Sequence, residues 1–357
     1  MVSAAIISLG SDSSKWTAEA MRKYFDEVEE VDLRHLEISI SGNTAEILYK
    51  GEKLKNYDCI YAKGSFRYSQ VLRSLTTIMK DQAYIPFTPE AYTVAHDKLL
   101  THLMLQTQNV PMPKTYISTT VSAARNVLSR MNYPIIMKFP QGTQGKGVMF
   151  ADSFSSASSI LDALTALKQS FIIQEFIETG NSDIRAIVVG DKVIASMVRK
   201  GKSDEKRANI HAGGSGESIE LDSKAKEIAV KAAKATGADI CGVDILPSIK
   251  GPLVLETNIS PGLQGITNYT KVDVADHIAR FLYKKTCERL NKINEGNKKE
   301  IMADVNNEGT VMTTIDTRGN RILLPELTSQ ISKLKDQELV EIKVKKNFIS
   351  IKKLDIN

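Results

Sequence analysis

The chain has 357 residues, too many for one typical core, and its apolar and charged fractions are those of a folded globular protein. Those fractions exclude a fibrous or disordered class, and a net charge of +5 does not by itself call for nucleic acid. No apolar run approaches the roughly 18 residues of a membrane span, so no membrane partner is expected. Cys59, Cys241 and Cys287 are dispersed, match no zinc spacing and fit a reducing cytoplasm. The stretch MVSAAIISLGSD has no basic residues ahead of its apolar run, so a signal peptide is not expected.

Residues 1–95 read as a small α/β domain. AAIISLG predicts a buried strand, WTAEAMRKYFDEV has helical periodicity, AEILYKGEKL alternates like a strand entering a turn, and DCIYAKG predicts another buried strand. Pro86 and Pro89 mark a break. A second domain, 96–180, opens on the amphipathic helix HDKLLTHLMLQTQ. It continues through VPMPKTYIS, an edge-type segment because proline removes ladder donors, and the helix VSAARNVLSRM. The strands PIIMKF and GVMFAD follow, then a helix and the strand SFIIQEFI. A third domain, 181–290, holds the hairpin DIRAIVVGDKVIASMVRKG, the helix KAKEIAVKAAKATG and the strands DICGVDILP and PLVLETN. It ends in the long helix VDVADHIARFLYKKTCERLNKI. The polar run NEGNKKE places a linker over 291–305, and residues 306–357 hold the β-rich stretches ELVEIKVKK and FISIKKL.

Between the strands PIIMKF and GVMFAD lies the glycine-rich loop GTQGKG. It lacks the P-loop spacing, and it joins strand to strand, whereas the dinucleotide fingerprint opens a helix. A hairpin of this kind can lie over phosphates, offering backbone N–H groups with Lys146 adding charge; a solvated surface hairpin is the alternative. In LETN, Glu256 and Asn258 are two apart on a strand and so share a face, while Asp244 sits in an apolar run on the preceding strand. Three oxygen ligands from adjacent strands suit Mg²⁺, and a salt-bridge network with Arg or Lys is the alternative. Lys98, Lys138, Arg185, Arg199, Arg207 and Asn209 form a complementary polar set, although each basic residue taken singly reads as a surface charge.

The order of these motifs along residues 1–285 resembles the ATP-grasp ligases, in particular the RimK-type L-glutamate ligase branch. The resemblance is carried by HDKL, MKFPQGTQGKGV, IIQEFIE, DIRAIVVGDKVIAS, RANIHAGG, CGVDILP and GPLVLETNISPGL. It implies an α/β (α+β) architecture: an N-terminal pre-ATP-grasp domain, then an ATP-grasp body holding ATP between two sheets beneath the glycine-rich lid. It further implies nucleotide contacts from Lys98, Lys138, Gly142, Gly145, Lys146 and Gly147, from the hinge Gln174, Glu175, Phe176 and Ile177, and from Asp183 and Arg185. Arg199, Arg207 and Asn209 would face the transferring phosphate, and Asp244, Glu256 and Asn258 would hold Mg²⁺ or Mn²⁺. The implied reaction joins an amino acid such as L-glutamate to a carboxylate acceptor, on a small molecule or a protein tail, through an acyl phosphate. Other outcomes within the same family are a coenzyme or amino-acid-biosynthesis ligase. Lys200 stands where this branch carries a second Arg, and Ala212 replaces a basic residue; both bear on the acceptor.

IDTRGNRILLPELTSQISKL resembles AbrB/MazE-type swapped-hairpin domains through Asp316, Gly319, Arg321, Ile322, Leu324 and Pro325, with Asn320 as an extra residue. That resemblance implies a homo-oligomer, a dimer or tetramer, and possible DNA contact, which keeps a DNA-binding regulator with a nucleotide-sensing body in view. From Lys284 onward there are fifteen Lys and Arg against eleven Asp and Glu, too small an excess to demand nucleic acid.

Overall fold

The computed structural model describes residues 1–140, 147–201, 215–305, 316–319, 321–323, 332, 334–335, 338–346 and 348–354, with the backbone alone over 294–305. The chain divides into two compact units, 1–288 and 289–357. The first unit begins with β1 (Ser3–Ser8), α1 (Asp12–Met21), β2 (Glu27–Asp32), β3 (Leu36–Ser41), β4 (Thr44–Tyr49), β5 (Glu52–Lys53), β6 (Cys59–Ala62) and α2 (Ser69–Met79). β1 pairs in parallel with β2 on one side and β6 on the other. Ala4–Ile7 and Cys59–Ala62 are buried, which is why both strands read as unbroken apolar runs. The strand β2, EVEEVD, escapes a reading by hydropathy because it is acidic and lies at the sheet edge with much of its surface exposed. The predicted helix over WTAEAMRKYFDEV is correspondingly shorter: Ser11 caps it, it ends at Met21, and the chain passes into β2.

Next come α3 (Ala91–Val94), α4 (Lys98–Thr107), β7 (Thr115–Tyr116), α5 (Val121–Leu128), β8 (Ile135–Lys138), β9 (Val148–Ala151), α6 (Phe154–Ala166) and β10 (Ile172–Glu175). The four strands form an antiparallel sheet in the order β7-β10-β8-β9. Its inner face, with Ile135, Met137, Ala151 and Ile173, packs with α5 and α6 into a core of its own. The glycine-rich segment does connect one strand to its antiparallel neighbour, although residues 141–146 lie outside the described residues.

The rest of the first unit holds β11 (Ser182–Val189), β12 (Lys192–Lys200), β13 (Ser215–Ser218), α7 (Ser223–Thr236), β14 (Ile240–Ser248), β15 (Gly251–Asn258), α8 (Gln264–Thr270) and the first part of α9 (Val274–Val305), which continues past the boundary at residue 288. These five strands make an antiparallel sheet, β13-β12-β11-β14-β15, whose core is continuous with that of the parallel sheet. Helix α9 runs on to Val305, so NEGNKKE, expected as a linker, is helical in backbone. Glu and Lys are good helix formers, and the one glycine in the run costs only about 1 kcal/mol.

In the second unit, β16 (Asp316–Arg318) and β17 (Arg321–Leu323) pair across Gly319, whose φ of 61° suits a tight turn. β18 (Val340–Lys345) and β19 (Phe348–Lys353) form a second hairpin. Leu324 and Pro325 of the swapped-hairpin motif, and the short helix expected after them, fall largely outside the described residues.

Helix α7 backs the five-stranded sheet. Asp222 caps it by accepting the Ala225 N–H at 2.7 Å, and small residues on one face (Ala225, Ala229, Ala232, Ala233) allow close approach to the strands. Gly237 ends the helix at φ 77°, and its carbonyl accepts the Thr88 N–H at 2.9 Å, tying the helix end to the segment before α3. A Cβ at Gly237 would collide with the Thr88 side chain. Gly237→Ala therefore combines left-handed strain with a clash, and thermal or urea unfolding should show a loss of about 2 kcal/mol while nucleotide affinity is kept. Unchanged stability would show that the end of α7 is not held as described.

Candidate active site

Register places the chemistry. In the five-stranded sheet Asp183 lies opposite Arg199, Arg185 opposite Asp244, and Asp244 opposite Glu256. Directly opposed residues share a face and the side-chain period along a strand is two, so these five side chains all project from one face. Asn258, two beyond Glu256, belongs to the same face, and a bulge after Asp244 separates this stretch from the ladder beyond it. The opposite face is apolar and packs on α7, which makes the register costly to slip.

Asp244 is buried and receives three charged hydrogen bonds. Arg185 grips it in bidentate fashion, with Nη2 at 2.6 Å, and Arg199 Nη2 adds a contact at 2.7 Å. Arg199 also binds Asp183 in bidentate fashion. Burial alone would lift the Asp244 pKa, but Arg185 and Arg199 hold it well below the ordinary carboxylate range. Asp183 goes the other way: burial and the neighbouring Asp244 raise it against the pull of Arg199. Glu256 has no hydrogen bond or ion pair among the described residues. Burial, then Asp244, raises its pKa, with Arg185, Lys98 and Lys138 opposing. It nevertheless keeps part of its surface accessible, as expected of a group at the floor of a recess.

The small sheet contributes the facing groups. Its outer face carries Lys138 and Gln174 as diagonal neighbours across β8 and β10, with Thr115 opposite Gln174. Lys138 Nζ donates to Gln174 Oε1 at 2.9 Å, and Gln174 Nε2 donates to Thr115 Oγ1 at 2.8 Å, so this buried polar chain is satisfied. Burial pushes the Lys138 pKa down to about 8, Glu256 opposes that and Lys98 adds to it. Lys98 begins α4 because Asp97 caps the helix, accepting the Leu99 and Leu100 N–H groups at 2.9 and 3.0 Å. The Lys98 N–H donates to the Pro140 carbonyl at 2.9 Å, which fastens the start of α4 to the end of β8. Burial lowers the Lys98 pKa, and Glu256 is the first group acting against that shift. Glu175 accepts the Lys114 N–H at 2.7 Å, and Phe176 packs edge-on against Phe150 at 5.4 Å.

The structure thus brings together Lys98, Lys138, Gln174, Asp183, Arg185, Arg199, Asp244, Glu256 and Asn258. Glu175, Phe176 and Ile177 follow along and beyond β10. Gly142, Gly145, Lys146, Arg207 and Asn209 lie outside the described residues. Gly147 closes the loop at φ 78°, against the Phe139 ring, where a Cβ would overlap it. His102 is a residue that motif reading passed over. It sits one helical turn after Lys98 and is 4 % exposed; burial first, then Lys138 and Lys98, lowers its pKa to about 4. Only its spacing of four from Lys98 could have marked it in the sequence.

Two carboxylates and an amide on one face are a hard-oxygen set of the kind Mg²⁺ takes. Among the described residues no cluster reaches three His, Cys, Asp or Glu. Glu256, a carboxylate beside a second carboxylate and with no donor among the described residues, is the observation that fits a cation there. Asp244 already takes its two arginines, and Asn258 Oδ1 accepts the Ser260 N–H at 2.8 Å.

A family profile described as a RimK-like ATP-grasp domain matches residues 95–282. A probable alpha-L-glutamate ligase of Vibrio cholerae serotype O1 is 35 % identical over 286 residues, 78 % of this chain and 94 % of that protein. Another, from Halorhodospira halophila, is 37 % identical over 76 % of this chain and 90 % of its own length. The fold is also that of the ATP-grasp ligase PsnB, solved with Mg and ADP: TM-score 0.63, 18 % identity, 80 % of this chain and 99 % of the other. The expected ATP-grasp architecture is therefore the observed one, and the chain belongs to the RimK-like ATP-grasp family, as an ATP-dependent carbon–nitrogen ligase.

Proposed function

We propose that this ligase joins an amino acid, L-glutamate in the first instance, to a carboxylate of a small molecule or protein tail by way of an acyl phosphate. The observation that carries this reading is the confrontation of a buried lysine, Lys138, and a half-buried one, Lys98, with the Asp244–Glu256 carboxylate pair. That arrangement neutralises a polyphosphate from one side and offers cation ligands from the other. The relatives' name, probable alpha-L-glutamate ligase, supports glutamate as the amino acid. In the reaction, an oxygen of the acceptor carboxylate attacks the γ-phosphorus of the substrate ATP and the bond to ADP breaks. The amine then attacks the acyl carbon and inorganic phosphate leaves. Little covalent work falls to the protein, so position and charge dominate.

Each residue's part follows from its surroundings. Lys98 and Lys138, anchored through Asp97, Pro140 and Gln174, would lie along the phosphates, and burial strengthens their attraction for negative charge. Arg185 and Arg199 hold Asp244 ionised and aimed, and Arg199 would answer charge that develops at transfer. Asp244, Glu256 and Asn258 would hold Mg²⁺, which when bound supplies charge neutralisation and a template for the phosphates. Water must be kept from the acyl phosphate, a task for the glycine-rich segment closed by Gly147.

A second, separate role attaches to the C-terminal unit. The β18–β19 register sets Ile342 opposite Ile351 and Val344 opposite Ile349, so one face of the hairpin is apolar, and these residues are between 37 % and 70 % exposed. A lone two-stranded hairpin is marginal in water, which favours pairing with a second copy, as the swapped-hairpin resemblance suggests.

Three outcomes test this. Glu256→Ala should cut ADP release by about a hundredfold or more with an acceptor and amino acid found by mass-spectrometric screening, and full turnover would remove the metal assignment. Lys138 has its pKa lowered to about 8 and must be protonated to attract phosphate. Affinity for the ATP analogue AMP-PNP should therefore be level below pH 8, fall by up to about tenfold per pH unit above it, and show proton uptake on binding. Lys138→Met should abolish that dependence in calorimetry, and an unchanged profile would acquit Lys138. Deleting residues 306–357 should lower the mass in light scattering while sparing ADP release; an unchanged mass would refute assembly through this unit.

A further inference from the structure

The parallel sheet leaves a charged group that the ligase chemistry above does not use. β1 passes to β2 on one side, and the chain later returns to place β6 on the other side, so the order β2-β1-β6 reverses between β1 and β6. In open α/β sheets ligands bind beyond the carboxyl ends of the strands at such a reversal. Lys63 stands there, one residue after β6, with its N–H bonded to the Ile7 carbonyl at 2.9 Å. It is 5 % exposed, and its ammonium lies 5.8 Å from the centre of the Tyr61 ring. Among the described residues no carboxylate pairs with it, and burial alone lowers its pKa, to about 8.

The surrounding bonds point this end of the sheet at the reaction. Gly64 N–H donates to Ser260 Oγ at 3.1 Å, and Ser260 N–H donates to Asn258 Oδ1. On the β1 side, Ser13 Oγ accepts the Leu263 N–H at 2.8 Å and donates to Gln264 Oε1 at 3.0 Å. The first turn of α1 and the loop after β6 are thus both fastened to the segment that follows the Glu256–Asn258 strand. An ammonium out of water without a counter-ion is a cost to the free protein, and a ligand anion would offset it.

We infer that Lys63 is the anchor of a carboxylate subsite that holds an anionic amino-acid or dicarboxylic substrate beside the turn after Asn258. This rests on the ligase reading for its purpose, but its test is binding and not turnover. Full-length protein and Lys63→Met would be titrated with L-glutamate, glutarate and succinate, each in the presence of Mg²⁺ and AMP-PNP, and separately with Mg²⁺ and AMP-PNP alone. The expected result is at least a tenfold weaker carboxylate affinity in Lys63→Met, recovered in part by Lys63→Arg, with AMP-PNP affinity unchanged. Because the substitution removes a buried unpaired charge, the free variant should also melt at the same or a higher temperature. Carboxylate affinity unaltered by Lys63→Met, a wild-type protein that binds none of the three probes, or a variant that melts lower and loses all ligands together would overturn the inference. Loss of AMP-PNP affinity instead would assign Lys63 to the nucleotide and overturn it as well. Failure of the wild-type protein to bind AMP-PNP would count against the ligase reading, while a Lys63-dependent carboxylate affinity would still stand.

Discussion

Asp244, buried between two arginines, is the contact on which the arrangement of the site depends. A carboxylate loses several kcal/mol of hydration when it is buried, and the attraction of one neighbouring cation, about 4 kcal/mol at 4 Å in a protein-like dielectric, offsets only part of that. Arg185 and Arg199 together complete the compensation, and Arg199 is itself steadied by Asp183. The consequence falls on Glu256. Its neighbour Asp244 is held ionised by arginines already engaged with it, so among the described residues Glu256 is left with negative charge beside it and no side-chain hydrogen bond. A cation is the simplest remedy, and Lys98 and Lys138 supply part of it from the other side.

The second constraint is that opposing charges come from separate pieces of structure. Lys138 belongs to a sheet with its own apolar core, Glu256 to a sheet that shares its core with the parallel strands. Helix α4 holds them in relation: its first N–H bonds to Pro140 beyond β8, while just past its end the Pro111 carbonyl accepts the Val254 N–H of β15 at 2.8 Å. A ligand between the two sheets would meet a face organised by backbone register on either side. The start of α1, through Ser13, and the loop after β6, through Gly64, are bonded to the segment after β15.

Much of this could be read from residue order. Apolar runs such as AAIISLG and CIYA named the buried strands, and the pair Glu256 and Asn258 in LETN announced a shared face because a strand repeats every two residues. Other features were hidden. β2 is too acidic to look like a strand until β1 lies beside it, and NEGNKKE looks like a linker because its composition is polar, although most of its residues tolerate a helix. His102 and Lys63 carry no motif; each matters only through what surrounds it.

Sequence alone determined most of the buried strands of the first unit and the helices beside them, though not β2, β3 or α2, together with the strand-to-strand setting of the glycine-rich segment and which polar residues stand on the β11, β12, β14 and β15 strands. Those are local properties, set by periodicity, caps and turn residues over a few positions. It left open whether Asp244 and Glu256 were metal-facing or bound in a salt-bridge network. Tertiary structure decided that Asp244 is gripped by Arg185 and Arg199 while Glu256 has no side-chain donor among the described residues. Pairing partners depend on register between strands far apart in the chain, and the charge state of each depends on burial. Neither quantity exists until the sheets have formed.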